Sequence, residues 1–311
     1  MGIVLRAEGL TKRFGDVVAV DGLDLEVRDG EVFGYLGPNG AGKTTTVRLL
    51  CALIAPTSGT AEVAGHRLGR DDAAIRSVVG ILTEQPGLYE RLSAEANLRF
   101  FASLYGLSSA TAAARTEHFL RLMGLWDQRS RPVATFSRGM KQKMAIARAA
   151  LHEPRILFLD EPTTGLDPDA ARTVREFVVA LRAEGRTVFL CTHNMDEADR
   201  LCDRIAFFRH KVLRIDSADA LRAELYGRTT EIRLLPSPRA EDLARVSAVA
   251  GVQEAHLENG SIVVSSGDPL TVNPLLVRAL IAGGAEIAYV TERKRSLEDV
   301  YLHIVEGGGR E

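Results

Sequence analysis

The sequence predicts a two-part fold, an α/β core followed by a smaller α+β domain. Three observations lead there. The octapeptide Gly37-Pro38-Asn39-Gly40-Ala41-Gly42-Lys43-Thr44 follows the apolar run at 32–36 and precedes a helix-like stretch at 45–50. That is strand, glycine-rich loop and helix, at the G-x-x-x-x-G-K-T spacing of a phosphate-binding loop. From there to about residue 225, short apolar runs alternate with helical periodicities, the pattern of an α/β core. From 226 to 306 the order changes to β-α-β-β-α-β-α, which resembles a small ferredoxin-like domain.

Taken in order, residues 3–5, 17–20 and 24–27 alternate apolar with polar and read as antiparallel strands, closed by the turn signal Asp29-Gly30. Phe14 falls in the loop between the first two. After the glycine-rich loop, residues 60–63 and 78–83 read as strands. Residues 93–124 switch to helical spacing, with Leu98, Phe101 and Tyr105 on one face and Gly106 as a C-cap. This marks a helical subdomain at about 88–136. Ser137 opens another helix, with Met140, Met144, Ala147 and Leu151 on its inner face. Residues 156–159 and 187–191 are uninterrupted apolar runs, which suit strands covered on both faces. Between them Pro168 starts a helix that Gly185 ends. Residues 205–208 and 212–215 form a hairpin around His210-Lys211. In the second domain Asn259-Gly260 is a strong hairpin turn, and 307–311 reads as a flexible tail. No basic or catalytic cluster stands out in this second domain.

At 311 residues the chain has ample length for two cores. Hydrophobic residues make up 46% and charged residues 26%, an ordinary globular composition. The net charge of -2 lacks the basic excess of a nucleic-acid-binding protein. Cys51, Cys191 and Cys202 do not have metal-ligand spacing and read as reduced thiols. No leader pattern heads the chain, and no run approaches 18 apolar residues. Any membrane role is therefore expected to act through a partner.

The chemistry gathers around the loop. Glycines accept positive φ and let backbone N–H groups converge on phosphate, at the positive end of a helix. Lys43 would reach the β- and γ-phosphates, and the Thr44 hydroxyl would ligate Mg²⁺. Asp160, at the end of an apolar strand, would hold the same ion through water. Glu161, pointed differently by strand alternation, can orient and deprotonate an attacking water.

With these residues in hand, the chain resembles the nucleotide-binding subunits of ABC transporters, specifically the stand-alone ATPase subunits of bacterial multidrug and antibiotic exporters. Residues 37–45, ending on Thr45, match the Walker A loop and 156–160 the Walker B strand. Glu161 matches the catalytic glutamate, Gln85 the glutamine that contacts Mg²⁺ and the attacking water, and His193 the switch histidine at the γ-phosphate. Phe14 matches the aromatic that stacks on adenine, and Gly165-Leu166-Asp167 the D-loop. The usual signature Leu-Ser-Gly-Gly-Gln reads Phe136-Ser137-Arg138-Gly139-Met140 here, a form that resembles the drug-exporter subgroup. Ser137 and Gly139, the positions that can hold a γ-phosphate at a helix N-terminus, remain.

The resemblance implies an ATP- and Mg²⁺-dependent ATPase working as a head-to-tail homodimer. Each ATP would be gripped by Lys43, Thr44 and Asp160 of one copy and by Ser137 and Gly139 of the other. The helical insertion would dock a transmembrane permease, with Gln85 coupling it to the site. The protein would then be cytoplasmic, held peripherally at the inner face of the cell membrane. A soluble ABC ATPase of ribosomes or nucleic acid is the alternative; translation-type relatives carry two modules per chain, and this chain has one. A non-hydrolysing ATP-binding regulator is a third reading, opposed by the intact Glu161 and His193. Leu297-Glu298-Asp299-Val300-Tyr301 resembles the ending of drug-exporter ATPases, implicated in dimer contacts and regulation.

Overall fold

A computed structural model of the chain describes residues 2–83, 86–293 and 295–307. Gln85 and the last four residues of the tail lie outside the described residues. The chain divides into two compact units, Met1–Asp216 and Ser217–Glu311.

The first unit is built on two sheets. In the antiparallel sheet, β1 (Ile3–Phe14) and β2 (Val17–Arg28) pair along their length, and β4 (Ser58–Val63) and β5 (His66–Arg67) extend the far side in the order β2-β1-β4-β5. The stretches 17–20 and 24–27, expected as separate strands, are one continuous strand, β2, because Asp21-Gly22 continues the ladder across a shift of register, and Phe14 is not in a loop but ends β1, paired with Val17. The second sheet has the order β10-β9-β3-β8-β7-β6. Its strands are β3 (Val32–Leu36), β6 (Val79–Leu82), β7 (Ile156–Asp160), β8 (Thr187–Thr192), β9 (Arg204–Arg209) and β10 (Lys211–Asp216). Every neighbouring pair is parallel except the β9–β10 hairpin.

Every residue of β3, β7 and β8 is buried, which explains why these strands read as unbroken apolar runs rather than as alternation. Aromatic rings of these strands and of β9 pack against one another at a tilt. Tyr35 lies 4.6 Å from Phe208, and Phe158 lies 5.2 Å from Phe189, ring centre to ring centre. Such pairs add about 0.5–1.5 kcal/mol each beyond their buried area.

Helices cover this sheet. They are α1 (Lys43–Leu50), α2 (Asp72–Val78), α5 (Arg138–Ala150), α6 (Pro168–Ala183) and α7 (Met195–Leu201). The helix α2 has no counterpart in the sequence reading. It is seven residues long, with Ile75 alone buried, too short to print a helical period. Val78, expected to open a strand, is its last residue. The helical insertion consists of α3 (Ala94–Leu104), α4 (Ser109–Leu122) and single 3-10 turns at Trp126–Gln128 and Val133–Thr135. Ser93, Ser108 and Ser137 cap α3, α4 and α5 by accepting N–H bonds from residues three further on. Each cap is worth about 1 kcal/mol. Gly106 ends α3 at φ 70, as a C-terminal glycine should.

The second unit opens with α8 (Ala218–Tyr226), so the division falls nine residues before the sequence-based boundary at 225. The shift follows from packing: α8 lies against α11 (Leu297–Gly307), where Tyr226 Oη donates to the Asp299 carbonyl at 3.0 Å. The rest is β11 (Arg228–Leu235), α9 (Ala240–Ser247), β12 (Val252–Glu258), β13 (Ser261–Ser266), α10 (Pro269–Ala282) and β14 (Glu286–Glu292). The strand order β12-β13-β11-β14, antiparallel throughout, is the ferredoxin-like arrangement. Asn259 at φ 50 and Gly260 at φ 74 turn its hairpin.

A phosphate-loop site at the strand ends

Sheet register assembles the site. Leu36 of β3 pairs with Thr192 of β8, and Cys191 of β8 pairs with Asp160 of β7. The carboxyl ends of three neighbouring strands therefore stand level, and the phosphate loop, Asp160-Glu161 and His193 all emerge there. That is where open α/β sheets bind ligands.

The loop between β3 and α1 tolerates little alteration. A Cβ on Gly42, at φ 101, would stand 2.1 Å from the Ala19 carbonyl oxygen, and one on Gly37 would stand 2.1 Å from that of Phe208. His210, which the sequence reading treated as a structural or surface residue, supports the loop. Its N–H donates to the Ala41 carbonyl at 3.0 Å, and its ring lines the cleft. The Lys43 ammonium is 6% exposed and donates to the Gly37 and Pro38 carbonyls at 2.7 and 3.3 Å. Beside it, Thr44 Oγ1 donates to Asp160 Oδ2 at 2.6 Å, and Asp160 is 4% exposed. A hydroxyl and a carboxylate meeting at a sheltered strand end fit Mg²⁺. That hard cation takes one or two protein oxygens and completes its shell with water and phosphate oxygens.

Glu161 follows at φ 50, a left-handed conformation costing a non-glycine residue about 1–3 kcal/mol. Its surroundings hold it there. Its N–H donates to the Cys191 carbonyl at 2.9 Å. Oε2 accepts from Thr164 Oγ1 at 2.9 Å and lies 2.9 Å from His193 Nδ1, while Oε1 faces the Lys43 ammonium at 3.4 Å. The segment behind it is tied to α5: Gln142 Nε2 donates to the Pro162 carbonyl at 3.1 Å, and Arg138 donates to the Thr164 carbonyl at 3.3 Å. The Arg138 guanidinium lies so close over Gly165 that a Cβ there would stand 2.6 Å from it.

Thr163 and Thr164 were not singled out in the sequence. A threonine after Asp-Glu-Pro carries no chemistry until the turn brings its hydroxyl back three residues to Glu161. Thr163 turns the other way and donates to Glu197 Oε2 at 2.8 Å. Burial pushes the Glu197 carboxyl up despite that bond.

These groups line a cleft of about 730 Å³, in the range that holds small molecules. Pro38 to Thr45, Asp160, Glu161 and His193 form one side, and Phe136, Arg138, Lys141 and Gln142 belong to its wall as well. Ser137 and Gly139 have local tasks. Ser137 Oγ accepts the Met140 N–H at 3.2 Å, and Gly139 packs so closely on α6 that a Cβ would meet Ala170 at 3.1 Å. Asp167 caps α6 through the Ala170 N–H at 2.8 Å. Phe14 is half-exposed, with the Lys12 ammonium 5.0 Å from its ring centre; Val17 and Ala19, rather than Phe14, line the cleft. Cys51 and Cys191 are free and buried, and burial pushes both thiols up.

Phosphate loop, carboxylate pair and parallel sheet together define a P-loop ATPase. The family profile described as ABC transporter matches residues 20–164. The chain is 37% identical over 301 residues to the daunorubicin resistance ATP-binding protein DrrA3 of Streptomyces coeruleorubidus, covering 96% of this chain and 95% of that one. It is 34% identical over 312 residues to the bacitracin transport ATP-binding protein BcrA of Bacillus licheniformis, covering 99% of each. Among solved structures, an ATP-binding subunit of an ABC transporter superimposes with a TM-score of 0.67 at 33% identity, over 72% of this chain and 94% of that one. The chain belongs to the ABC transporter family of ATP-binding proteins, and it is an ATPase. Among the described residues no helix is long and apolar enough to cross a membrane.

Proposed function

We propose that this chain is the ATP-hydrolysing motor subunit of a drug or antibiotic exporter and drives a separate transmembrane permease. The observation that carries the reading is relatedness along nearly the whole chain, second unit included, to ATP-binding proteins named for daunorubicin resistance and bacitracin transport.

In this reading Lys43 and the loop N–H groups hold the β- and γ-phosphates. Thr44 and Asp160 hold Mg²⁺, which when bound neutralises charge on the phosphate oxygens. Glu161 takes a proton from the attacking water, and its bond to His193 Nδ1 aims the carboxylate while the imidazole faces the γ-phosphate. Gln85, by the family resemblance, would contact the ion and the attacking water. Phe14, outside the cleft lining but paired with Val17 at its edge, would stack on the adenine of a bound ATP. Ser137 and Gly139 complete the phosphate shell of a second copy, head to tail, with Asp167 at that interface. A homodimer then closes on two ATP molecules and reopens after hydrolysis. The helical insertion docks the permease and holds the protein at the inner face of the membrane.

The test is co-expression. The protein is expected to sediment with membranes when its cognate permease is present and to stay in the supernatant without it. Drugs carried by that permease are expected to stimulate phosphate release. A ribosome-associated pool indifferent to the permease would overturn the reading.

A further inference from the structure

We propose that the second unit carries an anion site of its own, for a phosphate-ester group bearing at least two negative charges. The site is a cavity of about 440 Å³ between α8, the start of β11 and the crossing from β14 to α11. Its lining includes four guanidinium groups, Arg222, Arg228, Arg293 and Arg295, against two carboxylates, Asp219 and Glu292. The chain as a whole carries a net charge of -2, so this concentration is not a sample of a generally basic surface.

Two of the four arginines are structural. Arg293 forks onto both oxygens of Glu258 and holds that carboxyl down at about 2. Arg222 is 7% exposed; it donates from Nε to the Arg295 carbonyl at 2.6 Å and from Nη1 to Asp219 Oδ1 at 3.2 Å. That first bond fixes the backbone at Arg295. The other two are less committed: among the described residues no close ion pair joins Arg228 or Arg295 to a carboxylate, their attraction to Asp268 and Glu258 respectively acts at longer range, and both are exposed at the rim.

Arg295 is nonetheless held in place. Its guanidinium stands 5.5 Å over the Tyr226 ring, and the Tyr226 hydroxyl is bonded to α11. The ordering entropy of this arginine is therefore largely met before any ligand arrives. Gly227, at φ 64, leaves the floor clear, since the nearest atom to a Cβ there would be Gln253 Oε1 at 3.9 Å. With Arg293 and Arg222 paired to carboxylates, the two rim guanidinium groups of Arg228 and Arg295 are the ones left to attract an anion into the cavity. Phosphate oxygens match guanidinium geometry two at a time. The cavity is larger than a single phosphate, so the rest of the ester has room. A soluble phosphorylated molecule and an acidic phospholipid headgroup share this chemistry.

The experiment uses the full chain carrying Lys43→Ala, so that the phosphate loop contributes equally little in every arm. Inorganic pyrophosphate is titrated calorimetrically into this protein and into the same protein with Arg228→Ala and Arg295→Ala added. Both are also sedimented with vesicles of equal parts phosphatidic acid, whose headgroup is a phosphomonoester, and phosphatidylcholine. The double substitution is expected to weaken binding at least about a hundredfold, since each lost charge-assisted contact accounts for about a decade or more, and added salt is expected to weaken it as well. Pyrophosphate binding without vesicle retention assigns a soluble ligand; vesicle retention lost in the double variant assigns a headgroup. Equal binding by both proteins, or binding of neither probe, overturns the site. Should the double variant fail to fold, Arg295→Gln, which alters one exposed side chain, replaces it. Loss of this site leaves the nucleotide reading untouched, because the two are measured on different residues.

Discussion

Glu161→Gln separates a base from a strut. In the structure the carboxylate holds its own strained backbone through Oε2, which meets Thr164 Oγ1 and His193 Nδ1 at 2.9 Å each. A glutamine carbonyl oxygen can keep both contacts, so the turn at φ 50 is expected to persist. What changes is the other oxygen, 3.4 Å from the Lys43 ammonium. An amide NH₂ there loses a half-sheltered ion pair, at a cost of about 1 kcal/mol. It also removes a negative charge from the place a γ-phosphate approaches, so ATP should bind equally or more tightly. The amide cannot accept a proton. Losing a general base costs about 10²–10⁴ in rate, or roughly 3–5 kcal/mol of barrier. The assay pairs steady-state phosphate release with equilibrium binding of ATP on the same preparation. Turnover within about threefold of the parent protein would refute the argument. A loss of affinity parallel to the loss of turnover would refute it too, because Glu161 would then be a structural residue.

Other perturbations follow from the same geometry. Lys43→Ala is expected to raise the dissociation constant for ATP about tenfold to a hundredfold, as a charge-assisted contact is worth about 1.5–3 kcal/mol; unchanged binding in a fluorescent-nucleotide titration would contradict it. Arg138→Ala and Gln142→Ala each release one carbonyl of the turn behind Glu161, worth about 1 kcal/mol or a factor of about five. The loss should fall on kcat with ATP affinity held, and equal losses in both would assign these side chains to binding. His152 is held at about 4 by burial, with Nε2 on the Val79 carbonyl at 3.0 Å and its ring stacked on Tyr105. Its folded value lies below the ordinary 6.5, so the unfolded chain takes the proton first, and stability falls as pH drops from 6.5 to 4. Allowing for partial exposure, that loss is about 2 kcal/mol. His152→Phe keeps the stack and should remove most of this pH dependence in urea unfolding; an unaltered pH dependence would place its origin elsewhere.

The elements that carry the site were legible because their signals are local. A phosphate loop needs its glycines at fixed offsets, a doubly covered strand needs an unbroken apolar run, and a cap needs Ser, Thr, Asp or Asn next to a helical period. Residues 32–50, 137–151, 156–160, 168–185 and 187–192 all carry such signals. The helix α2 carried none, having one buried side chain in seven residues. The hairpin of the second unit was plain from Asn259-Gly260, yet the start of that unit at Ser217 was not. Its first helix belongs there through contacts with α11, some 75 residues further along the chain.

By itself, then, the sequence determined the fold of each unit, the phosphate loop and the position of Asp160-Glu161 at a buried strand end, since each depends on residue type at short range; His193 stood out only through the family resemblance. The tertiary structure alone decided what surrounds them. Sheet register brings Asp160 to Thr44 across 116 positions. A left-handed turn returns Thr164 to Glu161, and α5 reaches over to hold that turn through Arg138 and Gln142. It also gathered Arg222, Arg228, Arg293 and Arg295 into one cavity, where the sequence reading found no basic cluster. Contacts between distant segments depend on register and packing direction, and these are set by burial summed over the whole core rather than by any stretch of chain.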